Sequence, residues 1–199
     1  GIIQLNAIGN ISEDDCKKKL REAFSDVGER TPYEPETVFV EEAEDLTELT
    51  EELTMNQSKL VLGFRGGMTD ENDDFYSRRI MTDVFGGGPY SRLFMNVREK
   101  LSLCYYCSAS SMRIKGLLTV DSGVELQNAD KTEKAVNEQL DIVKNGGFTD
   151  FEFSSSVKSI TDSLKTYNDS QASLDTWYSL KAYNKELYSP EDIAEKLSF

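Results

Sequence analysis

Few residues in this chain of 199 can do chemistry, because it contains no histidine. That absence removes Ser-His-Asp and Cys-His nucleophile systems, imidazole bases and imidazole zinc sites together. Carboxylates, tyrosines, lysines and cysteines remain. Three overlapping stretches draw attention: FGGGPYSRLF at 85–94, SRLFMNVREKLSLCYY at 91–106, and CYYC at 104–107.

Gly86, Gly87 and Gly88 first suggest a phosphate cradle. A P-loop needs G-x-x-x-x-G-K-[ST], and here both the second glycine and the Lys-Ser/Thr pair are missing. A dinucleotide fingerprint needs G-x-G-x-x-G after a strand. These glycines follow a helical run, and Ser91 stands three places beyond Gly88. They read instead as the glycine cap of one helix, with Pro89 at the first position of the next. Glycines also let a peptide backbone come close, so the three remain a candidate substrate loop.

Cys104 and Cys107 have the spacing of a redox or metal pair, which normally sits on a loop or helix start. On a strand, residues three apart point to opposite faces, so the two thiols are expected to diverge as small packed residues. No second cysteine pair is present to complete a zinc site. Arg98 and Tyr105 are the remaining pair. On a wheel of ~100° per residue, Leu93, Phe94, Val97 and Leu101 form an apolar stripe, with Arg98 just outside it and Glu99 well away. Arg98 can therefore pack its stem and present its guanidinium to a site near Tyr105, seven residues on. The pattern alone favours a plainer account: an arginine stabilising a helix C-terminus beside a half-buried tyrosine.

The elements that position these residues follow from periodicity. IIQLNAIGN reads as a strand ending at Gly9, and Ser12 caps a helix over about 13–26 carrying Cys16, Leu20, Ala23, Phe24 and Val27. TVFVEE (37–42) is a short strand, and the acidic EEAEDLTELTEEL (41–53) a solvated connection. SKLVLGFRGG (58–67) is the strongest strand signal. A helix over 71–84 carries Phe75, Ile80 and Val84. LCYYCSASSM and GLLTVDSGVE are strands joined by a turn at 113–116. A helix over 128–144 buries Ala129, Val136, Leu140 and Val143 and stops at Gly146-Gly147. TDFE, with Thr149 and Glu152, is a capping box opening a helix with Phe153, Val157, Ile160, Leu164 and Tyr167. A helix from 171 carries Leu174, Trp177 and Tyr178, and SPED opens a last one with Ser189 as cap and Pro190 next. Strands interrupted by helices predict an α+β, two-layer architecture: an antiparallel or mixed β-sheet with helices packed on one face.

Composition narrows the partners. A net charge of −14 argues against nucleic acid and against an anionic membrane surface. No apolar run approaches the ~18 residues of a spanning helix. Gly1 leads straight into IIQLNAIGNIS without a secretory signal, and three cysteines fit a reducing compartment, so a cytoplasmic location is expected. The missing initiator methionine suggests a piece of a longer chain.

FGGGPYSRLFMNVREKLSLCYY resembles the GGG-x-x-SRLF-x-x-VREK-x-G-L-x-Y signature in the C-terminal domain of M16 metallopeptidases, the insulinase or pitrilysin-like family. AIGNISEDDCKKKLREAF and QSKLVLGFRGG are similar to that domain's opening strand and helix and to its next strand, and the resemblance spans about residues 2–198. It implies that residues 1–199 form one M16 C-terminal-type domain with the LuxS/mitochondrial-processing-peptidase-like metallohydrolase fold, excised from a longer peptidase-like chain. In that family two homologous halves close like a clam around an unfolded peptide. One half carries zinc on an inverted H-x-x-E-H motif; the other has lost it and binds substrate. A chain without histidine resembles the second kind. The resemblance implies no catalytic or metal residues and no cofactor here, with Zn2+ in the parent's other domain or a partner subunit. It assigns substrate binding to Arg98 and Tyr105, reversing the reading from pattern alone. The implied partners are a peptide substrate and an N-terminal M16 domain or homologous subunit. A structural or assembly subunit that has lost peptidase work is the alternative. Ser102 stands where the family has glycine, so a less tight turn is expected there.

Overall fold

Alternating and helical hydrophobic periods segregate along this chain, and the elements follow them. In a computed structural model, the described residues are 3–28, 31, 38–40, 42–55, 57–66, 75–112, 115–183 and 188–197. They fall into two units: Gly1–Glu36 with Thr161–Phe199, and Thr37–Ile160.

In the first unit, α1 (Glu13–Ala23) begins where expected. The Ser12 hydroxyl accepts from the Asp15 amide, and Glu13, Asp14 and Asp15 face the positive end of the helix dipole. The strand expected over 1–9 is not formed by residues 3–9, which lie in no ladder. Instead the side chains of Gln4 and Asn6 bond to Ser179, at 3.0 Å to its carbonyl and 2.5 Å to its hydroxyl. An apolar alternation without a neighbouring strand leaves the backbone nothing to pair with. Helices α5 (Gln171–Tyr183) and α6 (Pro190–Leu197) complete the described elements of this unit. Ser189 caps α6 as predicted: its hydroxyl accepts from the Asp192 amide at 3.1 Å, and Asp192 returns a bond to the Ser189 amide at 2.8 Å. Trp177 is buried, donates to the Tyr188 carbonyl at 2.9 Å and meets Tyr167 edge-on at 5.0 Å.

The second unit holds the sheet. β1 (Ser58–Arg65), β2 (Cys104–Met112) and β3 (Leu117–Val124) pair antiparallel in the order β1-β3-β2. The predicted hairpin joins β2 to β3; residues 113 and 114 of its turn lie outside the described residues, and Gly116 closes it at φ 55°. TVFVEE forms no strand at 38–40 and 42, and residues 37 and 41 lie outside the described ones. The acidic stretch that follows is exposed throughout residues 42–53.

Helix α2 (Phe75–Gly86) and a π-helix (Leu93–Lys100) lie against β2, while α3 (Ala129–Lys144) packs on both helices and on β1. Residues 71–74 and the Phe75 side chain lie outside the described residues. The covered face of β3 presents Leu118, Val120, Ser122 and Val124, all buried, against a core of Val84, Phe85, Leu93, Val97 and Val136. Each of these apolar side chains contributes roughly 1.5–3 kcal/mol by leaving water. The result is the expected α+β arrangement with an antiparallel sheet.

Two helix ends in this unit show how local sequence sets boundaries. Gly146 takes φ 72°, its amide bonds the Val143 carbonyl, and the Gly147 amide bonds that of Ile142, a Schellman stop for α3. Thr149 and Glu152 form the predicted capping box at the start of α4 (Asp150–Lys165), with amide-to-side-chain bonds of 2.7 and 3.2 Å.

The stretch after the glycines departs from its predicted geometry. It is a π-helix, in which Leu101 bonds back five residues to the Asn96 carbonyl at 3.0 Å. Widening the turn rotates later side chains away from an α-helical wheel. Leu93 and Val97 stay buried, whereas Leu101, expected on the same stripe, is half exposed.

Candidate functional site

The three glycines act by making room. A Cβ added at Gly86 would lie 2.5 Å from the Ala109 amide nitrogen and 2.6 Å from the Ala109 Cβ, so only glycine lets the end of α2 meet β2. None of Gly86, Gly87 and Gly88 has positive φ, so the expected left-handed cap is absent. Pro89 is not the first residue of a helix either. The Ser91 amide bonds the Gly88 carbonyl at 2.9 Å, which puts Pro89 at the second position of a β-turn, where its fixed φ suits the chain. Tyr90 anchors that turn by donating to Asp83 at 2.5 Å; burial first, then the Asp83 carboxylate, pushes its phenol up to about 12.

The chain now enters the π-helix, and two arginines, Arg92 at its N-cap and Arg98 within it, meet different fates. Arg92 turns inward, donating from Nε and Nη2 to Gln139 at 3.1 and 2.9 Å and from Nη1 to Glu152 at 3.3 Å. Glu152 is buried and also accepts from the amide and hydroxyl of Thr149, so the capping box and the ion pair share one carboxylate. Arg98 remains at the surface. Its guanidinium lies 4.5 Å over the Phe94 ring, Nε donates to the Tyr105 carbonyl at 2.7 Å, and Nη1 meets Glu99 at 2.6 Å. Nη2 has no partner among the described residues.

Arg98 and Tyr105 are thus brought together, through the backbone of Tyr105 and not through its phenol. The phenol is exposed and donates to Glu125 at 3.4 Å. Two shallow grooves meet at this pair. One, of about 340 Å³, is lined by Gly86, Gly87, Gly88 and Pro89 opposite Arg98 and Tyr105; the other, of about 370 Å³, runs on to Glu125 and Asn128. All five residues singled out from sequence therefore border one continuous stretch of surface. Glu125 was not singled out. It follows the last residue of β3, and only the register that sets Val124 opposite Cys104 brings it beside Tyr105.

Two local expectations are overturned here. Ser102 adopts φ 51°, the left-handed conformation that glycine takes freely, so the turn stays tight and the serine bears the strain. Cys104 and Cys107 do not diverge. The register passes from Cys104 opposite Val124 to Tyr106 opposite Gly123, a bulge with one extra residue on β2, and resumes with Cys107 opposite Ser122. Val124 and Ser122 share a face of β3, so their partners Cys104 and Cys107 share a face of β2. Strict alternation, the basis for expecting opposite faces, does not survive an inserted residue.

Comparison with known proteins matches residues 2–160 to the family described as the peptidase M16 inactive domain. The chain belongs to that family. A Bacillus subtilis protein named probable inactive metalloprotease YmfF is 32% identical over 148 residues, covering 74% of this chain and 34% of its own. Another from the same organism, the uncharacterized zinc protease YmxG, is 28% identical over 166 residues, covering 81% and 39%. The chain spans well under half the length of these relatives. Among solved structures, a Helicobacter pylori protease superposes with a TM-score of 0.70 at 14% identity over 96% of this chain and 50% of its own. A peptidase M16 inactive domain from Pseudomonas fluorescens gives 0.61 at 21% identity over 71% and 34%.

Zinc is the metal that the M16 family implies, and the donor set here does not fit it. The sequence has no histidine, and among the described residues no three of Cys, Asp and Glu cluster closely enough to hold a metal. No described helix is long and apolar enough to cross a membrane.

Proposed function

We propose that this chain is the substrate-binding, zinc-less part of an M16-type peptidase, and that Arg98 and Tyr105 hold an extended peptide along the groove beside the glycine turn. The carrying observation is the guanidinium of Arg98, fixed by the Tyr105 carbonyl, Glu99 and Phe94, with no partner on Nη2 among the described residues. A donor held in place but not saturated is ready to bond a peptide carbonyl without first ordering itself. The exposed phenol of Tyr105, bonded to Glu125 at 3.4 Å, can turn its one O–H to a carbonyl in the same groove. β2 adds a backbone surface, because among the described strands it pairs only with β3, leaving it the edge strand to which an extended chain can add.

The hydrolytic zinc and its water belong, in this reading, to an H-x-x-E-H half in the parent chain or in a homologous subunit, and the two halves enclose the peptide between them. The residues of this chain bind and align substrate carbonyls and perform no proton transfer. The test is steady-state cleavage of a fluorogenic peptide by the parent protein with its zinc-bearing half. Arg98→Ala and Tyr105→Phe are expected to lower kcat/KM while leaving the melting temperature in place; unchanged kcat/KM in both variants removes the pair from the site.

A second reading, an assembly subunit without peptidase work, draws on the printed name of YmfF, a probable inactive metalloprotease. Sequencing the parent gene upstream of Gly1 separates the two: H-x-x-E-H there favours the peptidase. If it is lacking, and no partner subunit carrying it co-purifies, the assembly reading holds.

A further inference from the structure

We propose that Cys104 and Cys107 form a thiol–disulfide site, oxidised by low-molecular-weight disulfides that reach it through the groove shared with Arg98. The bulge is the structural reason. Without it the pair would straddle the sheet; with it, both residues face the side on which Ser122 and Val124 are buried, one register step apart on β3. Their partners on β3, two residues apart, are separated by ~6.6–6.8 Å, which sets the scale of the interval the two cysteines span, against the roughly 4.4–6.8 Å of Cα separation that a disulfide bridges. Both cysteines are free thiols.

The pair is asymmetric in the way that exchange chemistry requires. Cys104 is half-buried and lines the 370 Å³ groove together with Arg98, while Cys107 is buried at 5% exposure beneath the other groove. The neighbouring Cys107 thiol, and then the positive charge of Arg98, hold the Cys104 thiol below its ordinary value. Its place beside Cys104, and burial, push Cys107 up. Cys104 is therefore the attacking sulfur and Cys107 the resolving one.

The Cys104 thiolate attacks one sulfur of RSSR, the S–S bond breaks, and RS⁻ leaves and takes a proton from water. Cys107 then loses its proton to solvent, and its sulfur displaces the second RS⁻ from the mixed disulfide. The protein dithiol loses two hydrogens and two electrons, and RSSR becomes two RSH. Tyr105, whose carbonyl accepts from Arg98, lies inside the resulting ring, so oxidation clamps the backbone that holds the guanidinium. The thiol chemistry does not depend on the peptide-binding reading.

The experiment incubates the native chain with oxidised glutathione, quenches with acid and maps the products by mass spectrometry. The expected product is an internal Cys104–Cys107 disulfide. Cys107→Ser should instead accumulate glutathione on Cys104, and Cys104→Ser should react at least about tenfold more slowly. Cys16, also partly exposed, is the internal control and should be modified about tenfold more slowly than Cys104. Two results on the unmutated chain overturn the proposal, whatever the variants do: Cys16 reacting as fast as Cys104, or glutathione remaining on Cys104 without closure onto Cys107.

Discussion

Arg92 and Arg98 stand six residues apart around one π-helix, and the chain uses the same guanidinium in opposite ways. Arg92 enters a buried network in which Gln139, Glu152 and Thr149 satisfy one another. Arg98 lies over Phe94 at the surface, and its Nη2 has no partner among the described residues. The difference is one of burial and partners: part-buried Arg92 gives three hydrogen bonds to Gln139 and Glu152, whereas surface Arg98 gives two. Both side chains come from the same SRLFMNVREK segment, so their roles are assigned by what packs over them.

The sharpest way to break this comparison is to truncate each arginine in turn. Arg92→Ala leaves Glu152 buried without its cation, and chemical denaturation is expected to show a loss of about 3–5 kcal/mol. A loss below about 1 kcal/mol would make the two arginines alike. Arg98→Ala, in contrast, should shift stability by no more than about 0.5 kcal/mol. On the substrate-binding reading proposed above, kcat/KM of the peptidase carrying Arg98→Ala should fall on the order of 10–100-fold, about 1.4–2.7 kcal/mol of barrier. Stability and turnover falling together would return Arg98 to a purely structural role.

Smaller effects sharpen the contrast around the groove. Ser102→Gly relieves a left-handed serine next to Arg98 and is expected to raise stability by about 0.5–1 kcal/mol, read as a higher denaturation midpoint. A destabilised variant would show that the serine is held there by something other than strain. The smallest effect concerns Tyr90. Its phenol is raised in the folded chain, so its neutral form is favoured there. Stability from this group is present below its ordinary value near 10 and is lost as pH rises from there through about 12. Tyr90→Phe should flatten that part of an alkaline denaturation profile, and an identical profile would assign the decline to other groups.

Legibility in the sequence followed how local the cause was. The Thr149–Glu152 box, the Ser189 cap and the Gly146 stop depend on residues within a turn of one another, and each appears where the sequence placed it. Strands β1, β2 and β3 were legible from apolar runs bounded by turn residues. The segment at 3–9 was misread because a strand needs a neighbour, and an apolar alternation does not announce whether one is there. Glu125 stayed hidden because it joins Tyr105 only across two strands. The shared face of Cys104 and Cys107 stayed hidden for a different reason: a single bulged residue reverses facing without leaving a mark in composition.

The sequence by itself determined the class of fold and the absence of imidazole chemistry in this chain, and its resemblance to a family motif singled out Arg98 and Tyr105 as candidates, because periodicity, residue inventory and an ungapped motif are all properties of the linear chain. The tertiary structure decided which arginine is drawn into the Gln139–Glu152 network, why Gly86 must lack a side chain, and which way the two thiols face. Each of those depends on what another segment brings within a few ångströms, and register and packing are set only when the sheet and its helices close together.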